Sequence, residues 1–148
     1  MADSLTLELK RDDISPRLAS LADDELRKKI LLGVGTVIES HAVRAFDEPD
    51  LRPKPWPARK KAAKHPLLIK SGDLRQSIHT QVQGADSVKI GSPKIYAAVH
   101  QLGSDKTSGR GSGIPSRPFF PVVENQLTGD VRDEIQDVVD ALIGEAGQ

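Results

Sequence analysis

The sequence predicts an α+β fold: a small antiparallel sheet packed against a long N-terminal helix and a C-terminal helix. Three observations carry that prediction. Apolar residues alternate at period two near the N terminus and again over residues 78–90, as in strands with one buried face. Between those stretches, and again at the C-terminal end, they recur every three or four positions, as on one side of a helix. At 148 residues, the chain reads as a single domain over 1–148 with room for a real core.

Leu5, Leu7 and Leu9 alternate with Thr6, Glu8 and Lys10, which predicts a first strand ended by Asp12-Asp13. Ser15-Pro16 has the form of a helix cap followed by proline in the first turn. A helical pattern then runs to about Phe46. Its first face, Leu18, Leu21 and Ala22, is out of phase with its second, Leu26, Ile30, Val34, Val37, His41 and Ala45, so a kink or fresh start is expected at Asp23-Asp24. Gly33 and Gly35 each cost about 1 kcal/mol relative to alanine in a helix, which points to close packing at those positions.

From Glu48 the composition changes. Proline-rich EPDLRPKPWPARKKAAKHP predicts an extended basic loop over 52–66, with one short turn at Ala58–Lys64. Leu67-Leu68-Ile69 returns to the core, and Ser71 or Asp73 is placed to cap a short helix through Ser77. Ile78, Thr80 and Val82, then Val88 and Ile90, predict two strands joined by a turn at Gly84-Ala85-Asp86. Tyr96 to Leu102 reads as a short helix closed by Gly103 in a left-handed cap. A flexible Gly/Ser arm spans 104–113. The last helix starts at Thr128 and carries a stripe of Val131, Ile135, Val138, Val139, Leu142 and Ile143, with Asp130 and Asp133 in its first turn.

Net charge is zero, but it is unevenly spread. The balance is −4 over residues 1–51, +7 over 52–75, +3 over 76–123 and −6 over 124–148. A basic middle and an acidic tail suit self-association or contact with a polyanion. The chain has no cysteine, which removes disulfides, thiolate nucleophiles and cysteine-based zinc sites. No apolar run reaches the roughly 18 residues of a membrane span, and MADSLTLELK lacks a signal pattern, so a soluble, cytoplasmic origin with no membrane contact is expected.

The chemical templates fail one by one. His41 lies on an apolar helix face and reads as a hydrogen-bonded core or boundary residue; no HExxH pair exists. His100 would need a nucleophile and an orienting carboxylate, and a catalytic reading would draw in Tyr96 and Arg117. SGRGSG over 108–113 is followed by Ile114-Pro115 rather than a helix start, so its amides are not presented to a phosphate. Asp130, Asp133, Asp137 and Glu145 belong to the polar side of the last helix. No catalytic residue, cofactor or metal is expected. Lys54, Arg59, Lys60, Lys61 and Lys64 around Trp56 are candidate polyanion contacts, which leaves a small nucleic-acid-binding module as the alternative function.

One ordered set of segments is more informative than any single residue. It runs from Trp56 through LLIKSGDLRQSI (67–78) and Ile90-Gly91 to YAAVHQLG (96–103) and IPSRPF (114–119). This resembles the phage virion morphogenesis family, the tail-completion proteins of Mu-like and related tailed phages and prophages. The likeness covers roughly residues 15–143, and YAAVHQLG and IPSRPFF are its most specific parts. The resemblance implies a structural, non-catalytic role at the head–tail junction or tail end, as a ring of identical subunits. It implies tail-tube or head-connector proteins as partners, non-specific DNA contact as a further one, and residence in the host cytoplasm during assembly and then in the virion.

A ring made by rotation joins two different surfaces of the same chain. The expected interface residues are Trp56, Arg110, Ile114, Pro115, Arg117, Pro118, Phe119 and Phe120. The arm would be ordered by a neighbour, the prolines would limit the entropy lost, the rings would supply apolar area, and Arg117 would meet a carboxylate. The competing reading makes both phenylalanines core residues and has Trp56 pin a loop onto its own domain.

Overall fold

The computed structural model describes residues 5–58, 72–103, 115–124 and 126–146. The alternating leucines form strand β1 (Leu5–Lys10), and a single helical turn, α1 (Arg11–Ile14), follows at once. Ser15 then caps α2 (Pro16–Ala19), its hydroxyl accepting from the amide of Arg17 at 3.2 Å. The expected break falls where the phase changes. Asp23 accepts from the amide of Leu26 at 3.2 Å and opens the long helix α3 (Asp24–Arg44).

After a 3₁₀ turn at Pro49–Leu51, α4 (Asp73–Gln76) leads to strands β2 (His79–Gln83) and β3 (Ser87–Ser92), then helix α5 (Ile95–Leu102). The chain ends with two-residue strands β4 (Val122–Val123) and β5 (Gln126–Leu127) and helix α6 (Gly129–Ala146). No helix among the described residues is long and apolar enough to cross a membrane.

The sheet order is β1–β3–β2, with both pairings antiparallel. Leu7 and Thr80 both oppose Ile90, and Leu9 and Val82 both oppose Val88. Residues directly opposed across a ladder share a face, so these six side chains form one side of the sheet. Helix α3 lies on that side. A Cβ on Gly35 would come within 2.7 Å of Val88 Cγ2 and closer still to Thr80 Cγ2, so only glycine allows this approach. Gly33 lies beside Val138 and Leu142 of α6, so the two glycines serve two different partners. The core joins Ile30, Leu31, Val34 and Ile38 of α3 to Val88 and Ile90 of β3 and Val131, Ile135 and Val139 of α6. Arg27 ties α3 to the hairpin turn, donating from Nε to the Ala85 carbonyl at 3.1 Å, and pairs with Asp24.

Several local expectations are corrected. Asp73 does not provide the cap of α4, and Ser71 lies outside the described residues. Gly72, at φ 77°, occupies the cap position, and Asp73 is the first helical residue. Gly103 does end α5 at positive φ (79°), but its ψ of 171° is extended rather than left-handed helical. The β4–β5 hairpin was not expected, because two-residue strands are too short to show alternation. The turn at Ala58–Lys64, the Leu67–Ile69 segment and the arm over 104–113 lie outside the described residues, the first of them except for Ala58.

Candidate functional site

Three of the segments that carry the sequence resemblance, Trp56, residues 96–103 and residues 115–119, meet at the C-terminal end of α5. A helix end leaves carbonyls without intrahelical partners. Here the amide of Arg117 donates to the His100 carbonyl at 2.7 Å, and Ser116 Oγ donates to the Gln101 carbonyl at 2.8 Å. Gln101 returns the favour through its side chain. Its Oε1 accepts the amides of Phe119 (2.9 Å) and Phe120 (3.0 Å), both in buried surroundings. The glutamine of YAAVHQLG therefore holds the RPFF segment by its backbone.

Trp56 closes the arrangement from the other side. Its indole N–H donates to the Pro118 carbonyl at 2.7 Å. Phe46 meets it edge-on with centroids 5.9 Å apart, and the Arg52 guanidinium lies 3.6 Å over the ring. Arg52 also closes the end of α3, donating to the carbonyls of Ala45 (2.7 Å) and Phe46 (3.1 Å). Burial pushes the Arg52 guanidinium below its ordinary value, opposed by the nearby Asp47. Arg117 extends along the same segment, its Nε donating to Pro57 O at 3.0 Å and Nη2 to Ala58 O at 3.3 Å.

Of the expected interface residues, the structure thus brings Trp56, Arg117, Pro118, Phe119 and Phe120 together, with Pro115 half-buried nearby. It does so inside the subunit. Phe119 is 0% and Phe120 2% exposed, and the Phe119 ring centroid lies 5.2 Å from those of both Phe46 (tilted) and Phe120 (edge-on). The rings are core residues rather than free apolar area, and Arg117 grips the chain's own carbonyls. Arg110 and Ile114 lie outside the described residues, as do Arg59, Lys60, Lys61 and Lys64; Lys54 is exposed. Sequence reasoning missed Gln101, Arg52 and Phe46. The placement of Arg52 just after the long helix was a signal, whereas nothing marked Gln101 as an acceptor.

Tyr96, His100 and Arg117 are neighbours, as a catalytic reading would need. The Tyr96 and His100 rings meet edge-on at 5.9 Å, and burial followed by the charge of Arg117 lowers the His100 pKa. However, among the described residues His100 Nδ1 is buried without a hydrogen-bond partner, so none of them supplies that nitrogen with an orienting carboxylate. His41 is a boundary histidine, as expected. Its Nε2 lies 2.7 Å from Glu134 Oε2, linking α3 to α6, and among the described residues its Nδ1 has no hydrogen-bond partner. No group of three or more metal-binding side chains occurs among the described residues.

Fold and site together define a small α+β protein in which a tryptophan–arginine clamp fixes two extended segments at the end of one helix. The profile of the phage virion morphogenesis family matches residues 11–143, and the chain belongs to that family. A stretch of 77 residues is 40% identical to the "Putative capsid assembly protein G" of Escherichia phage Mu, covering 51% of this chain and 44% of that protein. A stretch of 76 residues is 33% identical to the Mu-like prophage FluMu G protein 2 of Haemophilus influenzae, covering 51% of this chain and 54% of that protein. The chain spans about half the length of the curated relatives it matches. No solved structure matches it.

Proposed function

We propose that this protein is a structural component of phage or prophage virion assembly, acting in tail completion or head–tail joining as a ring of identical subunits. The observation that supports this most is the family match over 11–143, which takes in every element from α1 to nearly the end of α6. The Mu relative carries the name "Putative capsid assembly protein G"; capsid assembly and tail completion are both steps of virion assembly, and tail completion is the reading proposed for this chain. In it, the clamp has a scaffolding role: it fixes the ends of segments that meet a neighbour or a tail-tube or head-connector protein. The basic stretch 52–75 would face an acidic α6 of the next subunit, or DNA in the ring's lumen. The protein would work in the host cytoplasm and remain in the virion. Sedimentation of the purified protein, alone and with purified tails, tests this. A ring-sized particle or attachment to tails is expected; a strict monomer that never binds a tail would sink it.

The +7 balance of residues 52–75 supports a second reading, non-specific nucleic-acid binding. It predicts DNA affinity that falls steeply with salt, and no binding at low salt would remove it.

A further inference from the structure

The sheet has two outer edges, β1 and β2, and among the described residues no strand pairs with either. Open edges are normally blunted by charge, proline or a bulge. Strand β2, His79-Thr-Gln-Val-Gln83, contains no proline and no Lys, Arg, Asp or Glu. Each edge also borders a groove. Beside β2, on the flank of α3, Leu32 stands 52% exposed next to Val82, with Lys28 and Lys29 along the rim together with Glu25. Beside β1 lies a groove of about 670 Å³ floored by Leu7, Leu9, Ile14, Leu127 and Ile135. Its charged rim is Asp13 and Asp133 against Arg132. One edge therefore carries an apolar knob with net positive charge. The other carries an apolar slot with net negative charge.

We propose that these are the two halves of one joint between copies of this chain: β2 of one subunit pairs with β1 of the next, and Leu32 enters the slot beside the incoming strand. Both strands run antiparallel to β3, so a sheet continued from copy to copy in the same sense pairs β2 with β1 in parallel. Leu7, Leu9, Thr80 and Val82 already face the same side, so the joined sheet keeps a single apolar face under the helices. Because the two halves differ, the contact is heterologous and generates a ring on closure. The inference rests on the ring reading above and specifies how that ring is held together.

The chain has no cysteine, so engineered pairs report contacts cleanly. Glu8 and Gln81 both oppose Lys89 and so share the face away from α3. Gln81→Cys is combined in turn with Thr6→Cys, Glu8→Cys or Lys10→Cys, which covers the nearby registers on that face. On mild oxidation at least one pair should form a ladder of covalent oligomers, while each single variant forms at most a dimer. In parallel, Leu32→Glu should weaken self-association at least about tenfold with an unchanged unfolding midpoint, since the side chain is surface-placed. Lys29→Glu and Asp133→Lys should each weaken assembly, and the double variant should recover it. Oligomers that form normally with Leu32→Glu and yield none of the three links would overturn the joint while leaving the ring reading intact. A protein that stays monomeric with and without tails would overturn both.

Discussion

The indole N–H of Trp56 donates to the carbonyl of Pro118 at 2.7 Å, joining positions 62 residues apart. Trp56→Phe removes the donor, keeps most of the apolar volume and leaves a buried carbonyl unpaired, at a cost of about 1–3 kcal/mol. Trp56→Ala also opens a cavity beside Phe46 and should cost about 3–5 kcal/mol. Urea unfolding followed by far-ultraviolet circular dichroism should rank wild type, phenylalanine and alanine in that order. Equal midpoints for the first two would show that the bond contributes nothing.

Gln101 holds two amides with a single oxygen. Gln101→Leu strands both N–H groups in buried surroundings, at about 1–3 kcal/mol for each unpaired group. Amide hydrogen exchange at Phe119 and Phe120 should accelerate more than at residues of β3. Uniform acceleration across the protein would instead assign Gln101 a global role.

The two ends of the glycine series should move in opposite directions. Gly35→Ala gains helix propensity but drives a methyl into Thr80 and Val88, so the thermal midpoint should fall. A Cβ at Gly144 meets nothing within 4 Å, so Gly144→Ala should gain up to about 1 kcal/mol. A stabilised Gly35→Ala would mean that α3 can lift off the sheet.

His100 should shape the acid side of the stability curve. Its pKa is lowered from the ordinary 6.5, first by burial and then by Arg117. As pH falls, the unfolded chain takes up the proton first. The contribution is therefore fully present above 6.5 and is lost as pH drops towards the lower folded value. Nuclear magnetic resonance should place the His100 midpoint below 6.5, and His100→Gln should flatten stability across that window. A midpoint at or above 6.5 would refute the half-buried, Arg117-facing placement.

Much of this fold was legible because periodicity is written in the residues themselves. The β1 leucines, the phase change at Asp23 and the stripe of α6 all reflect local geometry imposed by one buried face. The resemblance placed the right segments in the right order. What stayed hidden was long-range polar pairing. Nothing local distinguishes a glutamine that caps two distant amides from one that faces water, and nothing in Pro118-Phe119-Phe120 tells whether the rings point inward. Those facts depend on how Phe119 and Phe120 pack between Gln101 of α5 and Phe46 beyond α3. The aromatic pair expected at an interface lies in the subunit's own core.

Trp56 is the sole tryptophan in the chain, and it sits beneath a guanidinium and against Phe46. The molecule thus carries a native optical gauge at its fastening point. A red shift in its emission would mark release of that fastening, so docking onto a virion part could be followed in real time without attaching a dye.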